Sequence, residues 1–120
     1  MSVRQIAGLK VYVCPDEGPS LADYSNLMDL IGDLFGEGGV MLVVIPLERL
    51  GPDFLRLSCG VAGEVLQKLV NYRLRVAVLG DTADAQAQSG PLRDFIGESN
   101  RGRTVWFVDD LAGLEARLRG

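Results

Sequence analysis

The strongest constraint on how this chain folds comes from two short, almost wholly apolar runs, "VMLVVI" at residues 40–45 and "LRVAVLG" at residues 74–80. A strand that faces water on one side alternates apolar and polar residues, whereas a strand covered on both faces is apolar nearly throughout. Both runs therefore predict central strands of a sheet that has other elements packed on its two faces.

The segments around these runs predict further strands and one long connection. Residues 3–6 and 9–14 predict a hairpin that turns at Ala7-Gly8, and "TVWFV" at 104–108 predicts another strand. The segment "DTADAQAQSG" at 81–90 is poor in large apolar residues and rich in turn formers, which predicts a mobile loop.

Four amphipathic helices are predicted between and after the strands. The first has Ser20 as its N-cap and Asp23 in the place of the acidic residue of a capping box. The second covers residues 58–73, the third starts at Pro91, and the fourth follows "TVWFVDD". Apolar residues recur at helical spacing in the first helix: Leu21, Tyr24, Leu27, Met28, Ile31, Leu34 and Phe35.

The resulting order is β-β-α-β-α-β-α-β-α, which predicts an α/β fold. Strands that alternate with helices form a mixed, mostly parallel sheet with the helices layered on it. A chain of 120 residues fits one domain over residues 1–120, and it is long enough to bury a core without disulfides or metals.

The composition excludes several classes of function. The net charge is −4 and the basic residues are scattered, which argues against binding to nucleic acid or to an anionic membrane. The sequence contains no histidine, and its two cysteines, Cys14 and Cys59, are far apart. His-based zinc sites and catalytic triads are therefore excluded. We expect no cofactor and no metal, although an all-carboxylate magnesium or calcium site stays open.

The location of the protein is predicted from its termini and its hydropathy. The first residues lack the basic start and the long apolar core of a signal peptide. No apolar run approaches the roughly 18 residues of a membrane span. These observations predict a cytoplasmic protein with reduced cysteines.

The second helix carries an unusual outward stripe. At about 100° per residue, Val61, Ala62, Val65, Leu66, Leu69 and Tyr72 share one face and are expected to lie on the sheet. The opposite stripe contains Gly60, Gly63, Glu64, Gln67 and Asn71. Each glycine within a helix costs about 1 kcal/mol relative to alanine. Glycines beside amides and a carboxylate therefore indicate that another group comes close to this backbone.

Two simpler explanations compete with a binding surface. Gly60 can serve only the sharp turn from strand to helix, and Gly63 can serve only to admit a neighbouring helix of the same chain. Glu64, Gln67 and Asn71 would then be ordinary solvated side chains.

The start of this helix and a later segment are further candidates. Ser58 is predicted to cap the helix and to hold an anion, since free N–H groups attract anions at a helix start. Cys59 lies beside it, and we expect a buried, inert thiol there, or else a thiol with a lowered pKa. In the segment 93–103, the residues Arg93, Glu98, Asn100 and Arg101 are candidates for binding a partner, or for pairing with one another on the surface.

The strings "GVAGEVLQKLVNYRLRVAVLGD" and "LRDFIGESNRGRTVWFVDDL" resemble the DUF4180 family of small bacterial proteins. The resemblance covers about residues 40–118 and implies no activity, because the family has none established. Family members are similar in having Thr-Gly before the "AGE" helix, whereas Cys59 stands at that Thr position here. A role of the Thr hydroxyl in relatives does not transfer to this chain.

The order of elements also resembles a STAS domain, the fold of the anti-sigma factor antagonists. Those domains have a Ser-Ser-Gly-Leu-Gly type start to the helix after their central strand, and "SCGVAG" occupies that place here. The resemblance implies a STAS-like layered fold and a helix start that meets a partner protein. Cys59 replaces the second serine, so only Ser58 is left to accept a phosphate there.

These observations together predict a non-catalytic, cytoplasmic regulatory or protein-interaction module that uses the start and outer face of the 59–72 helix. Its partner would be another protein or a second copy in a homodimer. The alternative is a small-molecule-binding protein or enzyme, with a pocket between the helix start, the 81–90 loop and Arg93. Glu64 would meet Asp81 or Asp94 in that pocket.

Overall fold

A computed structural model describes residues 2–120, which form one five-stranded sheet with helices on both faces. The strands are β1 (Ser2–Ile6), β2 (Leu9–Val13), β3 (Leu42–Pro46), β4 (Val76–Leu79) and β5 (Val105–Val108), and they lie in this order across the sheet. β1 pairs with β2 in antiparallel fashion, and every other pair is parallel. The predicted α/β fold with a mostly parallel sheet is confirmed.

The first two strands form the predicted hairpin. They are joined by Ala7 and Gly8, whose φ angles are +51° and +80°. Two consecutive residues with positive φ are what a type I′ turn requires, and this turn matches the twist of the two strands. The hairpin thereby places β2 beside β3 and leaves β1 at the edge of the sheet.

The helices are α1 (Tyr24–Glu37), α2 (Val61–Asn71), α3 (Ala83–Gln88), α4 (Gly90–Arg101) and α5 (Leu111–Arg119). Short 3-10 turns follow β3 and precede α2, at Leu47–Leu50 and Leu57–Cys59. Among residues 2–120, every helix is too short or too polar to serve as a membrane span.

The core has two layers, one on each face of the sheet. Residues of α1, α2 and α4 pack against alternate strand residues such as Val43, Ile45 and Val78. The other strand residues, among them Val44 and Ala77, face a smaller cluster with Leu114 of α5. Neighbouring parallel strands that are joined in sequence by crossovers of one hand place their helices on the same face, which accounts for this division.

Two local predictions were wrong. Asp23, and not Ser20, is the N-cap of α1, because its side chain accepts a hydrogen bond from the backbone N–H of Asn26. Ser20 instead accepts from the backbone N–H of Ala22 in the preceding turn. The segment 81–90, predicted to be a loop, contains α3, which starts after Thr82.

Arg49 fastens the loop that follows β2. Its side chain is only 9% exposed, and it donates hydrogen bonds from Nε to the carbonyl of Pro19 and from Nη1 to the carbonyl of Pro15, both at 3.0 Å. The guanidinium lies so close to Gly18 that a Cβ there would come within 2.8 Å of Cζ. A buried cation thus holds a segment that has no regular secondary structure.

Replacing Arg49 by methionine should lower the free energy of unfolding by about 1–3 kcal/mol, because the carbonyls of Pro15 and Pro19 lose the donor of two partly buried hydrogen bonds while the apolar stem is kept. The matched control is Arg56→Met, which removes only an exposed ion pair of 3.7 Å with Asp53 and should change stability by less than about 0.5 kcal/mol. Urea denaturation measures both values. Equal effects of the two substitutions would contradict this role of Arg49.

Candidate functional site

Helix α2 begins at Val61 with its apolar side on the sheet and its other side in solvent. Ala62, Val65, Leu66 and Leu69 are buried against the strands. The outward residues are exposed, and we call them the α2 stripe: Gly60, Gly63, Glu64, Gln67 and Asn71. The predicted stripe therefore lies on the surface of the molecule.

The two glycines of the stripe have different local settings. Gly60 is the N-cap residue of α2 with a φ of +77°, a conformation that glycine adopts at little cost, so the turn from loop to helix accounts for it. Gly63 lies within the helix. A Cβ added at Gly63 would meet no described atom within 4 Å. The alternative that Gly63 admits a neighbouring helix of the same chain is therefore wrong.

A groove runs beside the stripe, between α1 and α2, and encloses a cavity of about 350 Å³. Its floor is apolar and consists of Ala22, Leu27 and Val65. Its rim is polar or aromatic and consists of Tyr24, Glu64, Gln67, Lys68 and Asn71. Three residues of the α2 stripe thus contribute to the wall of a concave surface.

The polar groups of the rim are held in defined positions. The side-chain amide of Gln67 donates from Nε2 to Oδ1 of Asn71 at 2.8 Å. This hydrogen bond links two side chains that lie one helical turn apart. Lys68 Nζ lies 5.0 Å from the centre of the Tyr24 ring, within the range of a cation–π contact. Lys68 therefore bridges the groove from α2 to α1.

Exposed aromatic residues flank this surface, and the sequence analysis assigned them incorrectly. Tyr24 and Phe35 were counted in the apolar repeat of the first helix and Tyr72 was expected on the sheet side of the second, but they are 63%, 58% and 38% exposed. The rings of Phe35 and Tyr72 pack edge to face between α1 and the end of α2, with their centres 5.8 Å apart. Tyr24 begins α1 and Tyr72 follows α2, and a position at a helix end is the signal that would have weakened the inward assignment.

The start of α2 differs from its prediction. Ser58 does not cap the helix, because it belongs to the 3-10 turn Leu57–Cys59 and α2 has no side-chain cap. Cys59 is exposed, whereas a buried thiol was expected. The buried thiol is that of Cys14, where burial raises the pKa to about 11 and the nearby Arg49 guanidinium only partly offsets this rise. Cys14 is therefore protonated and unreactive near neutral pH.

Of the candidates on α4, Asn100 has a structural role. Its side-chain Oδ1 accepts a hydrogen bond of 2.7 Å from the backbone N–H of Phe107 in β5, and its carbonyl accepts from the guanidinium of Arg117. Arg93, Glu98 and Arg101 are exposed on the same helix. Asn100 thus ties α4 to the edge strand β5. None of the four candidate residues on α4 lines the groove between α1 and α2.

A second cavity, of about 740 Å³, lies between the loop after β3 and the α3–α4 region. It is lined by Ser58, Gln88 and Ser89 together with mostly apolar residues, among them Leu55 and Leu92. Arg93, which was predicted for a pocket in this area, does not line it. Glu64 was predicted to meet Asp81 or Asp94, but Glu64 and Asp81 line two different cavities, and Asp94 lines neither of them. Within residues 2–120, no cluster of three or more potential metal ligands occurs.

The comparisons with known proteins identify the family. The sequence model of a domain of unknown function, DUF4180, matches residues 6–118. No curated protein and no solved structure matches the chain. Since the match covers nearly the whole sequence, this chain belongs to the DUF4180 family, whereas the resemblance to a STAS domain stays a prediction.

Replacing Asn100 by alanine should lower the free energy of unfolding by about 1–3 kcal/mol, because the N–H of the buried Phe107 loses its acceptor. The matched control is Asn71→Ala on the exposed stripe, which should change stability by less than about 0.5 kcal/mol. Urea denaturation again measures both values. A neutral Asn100→Ala substitution would return this residue to the list of binding candidates.

Proposed function

We propose that this protein is a non-catalytic, cytoplasmic regulatory or protein-interaction module that binds a protein partner through the α2 stripe and the adjoining groove. The observation that carries the proposal is the open backbone at Gly63, on an exposed helix face between directional polar groups. The 3-10 turn before α2, which contains Ser58 and Cys59, leads directly into this surface.

The energetic cost of Gly63 supports a contact with a second molecule. An exposed glycine within a helix is less favourable than alanine by about 1 kcal/mol, and alanine would fit here without any steric conflict. No feature of the described fold requires that residue 63 lack a side chain. A partner that packs directly on the backbone at this position would account for the glycine.

The groove supports the same conclusion through its anatomy. Protein interfaces combine an apolar centre with a polar rim, and aromatic residues are enriched in them. Leu27 and Val65 provide the apolar floor, while Gln67 and Asn71 provide amides at the rim. A cavity of about 350 Å³ accommodates an anchoring side chain of a partner.

The second candidate function is the binding of a small apolar ligand in the cavity of about 740 Å³ near Ser58. Its size falls within the range of about 300–1,000 Å³ that is usual for ligand pockets, and its lining is mostly apolar. This candidate retains the predicted location beside the start of α2. It lacks the paired carboxylates that an acid–base enzyme needs, since Glu64 and Asp81 lie elsewhere.

Substituting Gly63 by tryptophan should abolish partner binding and leave the fold intact, because the new side chain enters open space on the outer face of α2. The matched control is Ala116→Trp, at an exposed position of α5 on the opposite face of the sheet. Tagged wild-type and variant chains are used to capture proteins from native lysate, and circular dichroism verifies their folding. A protein that all three chains retain equally would contradict the assignment of this surface.

For the second candidate, the native wild-type protein should enhance the fluorescence of the anionic dye 1-anilinonaphthalene-8-sulfonate, which fluoresces strongly at apolar sites. Gln88→Trp should reduce this enhancement, because Gln88 lies exposed at the wall of the larger cavity and an indole there would occupy part of it. Gly63→Trp serves as the control and should leave dye binding unchanged. Dye binding that is insensitive to Gln88→Trp would exclude this cavity as the site.

A further inference from the structure

We propose that the partner bound by the α2 stripe is a second copy of this chain, and that the two α2 helices pack antiparallel about a twofold axis. Glu64 of each chain would then face Lys68 of the partner subunit. This inference rests on the proposed function, because it uses the same surface and names the occupant.

The first observation is an acidic side chain without a counter-charge. Glu64 and Lys68 are four residues apart on one side of α2, which is the spacing of a helical ion pair. Lys68 instead lies over the Tyr24 ring, and Glu64 forms no ion pair with any residue from 2 to 120. On α5, Glu115 and Arg119 have the same spacing and do pair, at 2.7 Å. The charges on α2 are thus left for an intermolecular contact.

The second observation is that this pair of charges is self-complementary. A twofold contact brings residue i of one chain to residue j of the other and also j to i. When two α2 helices pack antiparallel with the axis near the middle of the segment between Glu64 and Lys68, both carboxylates meet ammonium groups. A parallel alignment would bring like charges together. The two charges of Glu64 and Lys68 therefore favour one orientation of a second copy, and because they cancel they would not select a strongly acidic or basic partner.

The third observation is that the backbone at Gly63 is open to close approach and that exposed aromatic rings adjoin the stripe. Gly63 adds no side chain on the outer face, which permits the short separation of about 8–10 Å between helix axes. Helix α2 alone has 11 residues and is about 16 Å long, which is short for a stable interface. The exposed rings of Tyr24, Phe35 and Tyr72 lie along the adjoining seam with α1 and extend the apolar area.

Charge reversal tests this arrangement. Sedimentation equilibrium of the full chain should show a dimer for the wild-type protein. Glu64→Lys and Lys68→Glu should each weaken dimerisation by at least about tenfold, because each places two like-charged contacts across the axis. An equimolar mixture of the two variants should restore association as a heterodimer, since every contact is then between opposite charges. The control Glu115→Lys makes the same change of charge on α5 and should leave the dimer intact.

Three results would overturn the inference. The first is a wild-type chain that stays monomeric up to about 1 mM, because a dimer with a dissociation constant above this value is too weak to matter. The second is a single variant that dimerises as the wild type does. The third is a mixture of the two variants that fails to associate. If the wild-type chain is monomeric but captures a different protein, and Gly63→Trp abolishes that capture, the proposed function stands and only this inference fails. If Gly63→Trp changes neither capture nor association, both proposals fail together.

Discussion

The burial of β3 and β4 from both sides is the constraint on which the rest of this structure depends. Val43, Val44 and Ile45 have no exposed surface at all, so consecutive residues of one strand need cover on opposite faces. Parallel strands also need crossover connections, and these connections supply the cover on the first face through α1, α2 and α4. The second face is covered by α5, which has Leu114 at its centre. Helices α1, α2, α4 and α5 therefore each have one side determined by the sheet.

The other side of each helix is not determined by the sheet, and this is where the helices differ. On α5, Glu115 and Arg119 form an ion pair in solvent, which a merely solvated helix face tolerates at little cost. On α2, the equivalent side has an open glycine, two amides linked to each other, and a carboxylate that lies apart from its neighbouring cation. The candidate site is thus a surface that the fold leaves free, beside a groove that the packing of α1 on α2 creates.

The sequence predicted the sheet, the order of the elements apart from α3, and the outward stripe, because each of these follows from the periodicity of apolar residues. Gly63 and Gln67 lie where that periodicity puts them. Helix ends were less predictable, since the capping of α1 by Asp23 and not by Ser20 depends on the path of the preceding loop. The same holds for Tyr24 and Tyr72, which are exposed where α1 begins and α2 ends. The groove itself was not predictable, because it depends on the distance between two helices that are remote in sequence.

The contrast between the two cysteines has a practical consequence. The chain contains only Cys14 and Cys59, and Cys14 is sealed in the core while Cys59 is exposed one turn before Gly63. The unmodified protein therefore offers a single accessible thiol at the margin of the α2 stripe. A maleimide fluorophore or a nitroxide attached there would report on its own surroundings from a known position. Spectroscopic observation of this surface thus requires no engineered cysteine.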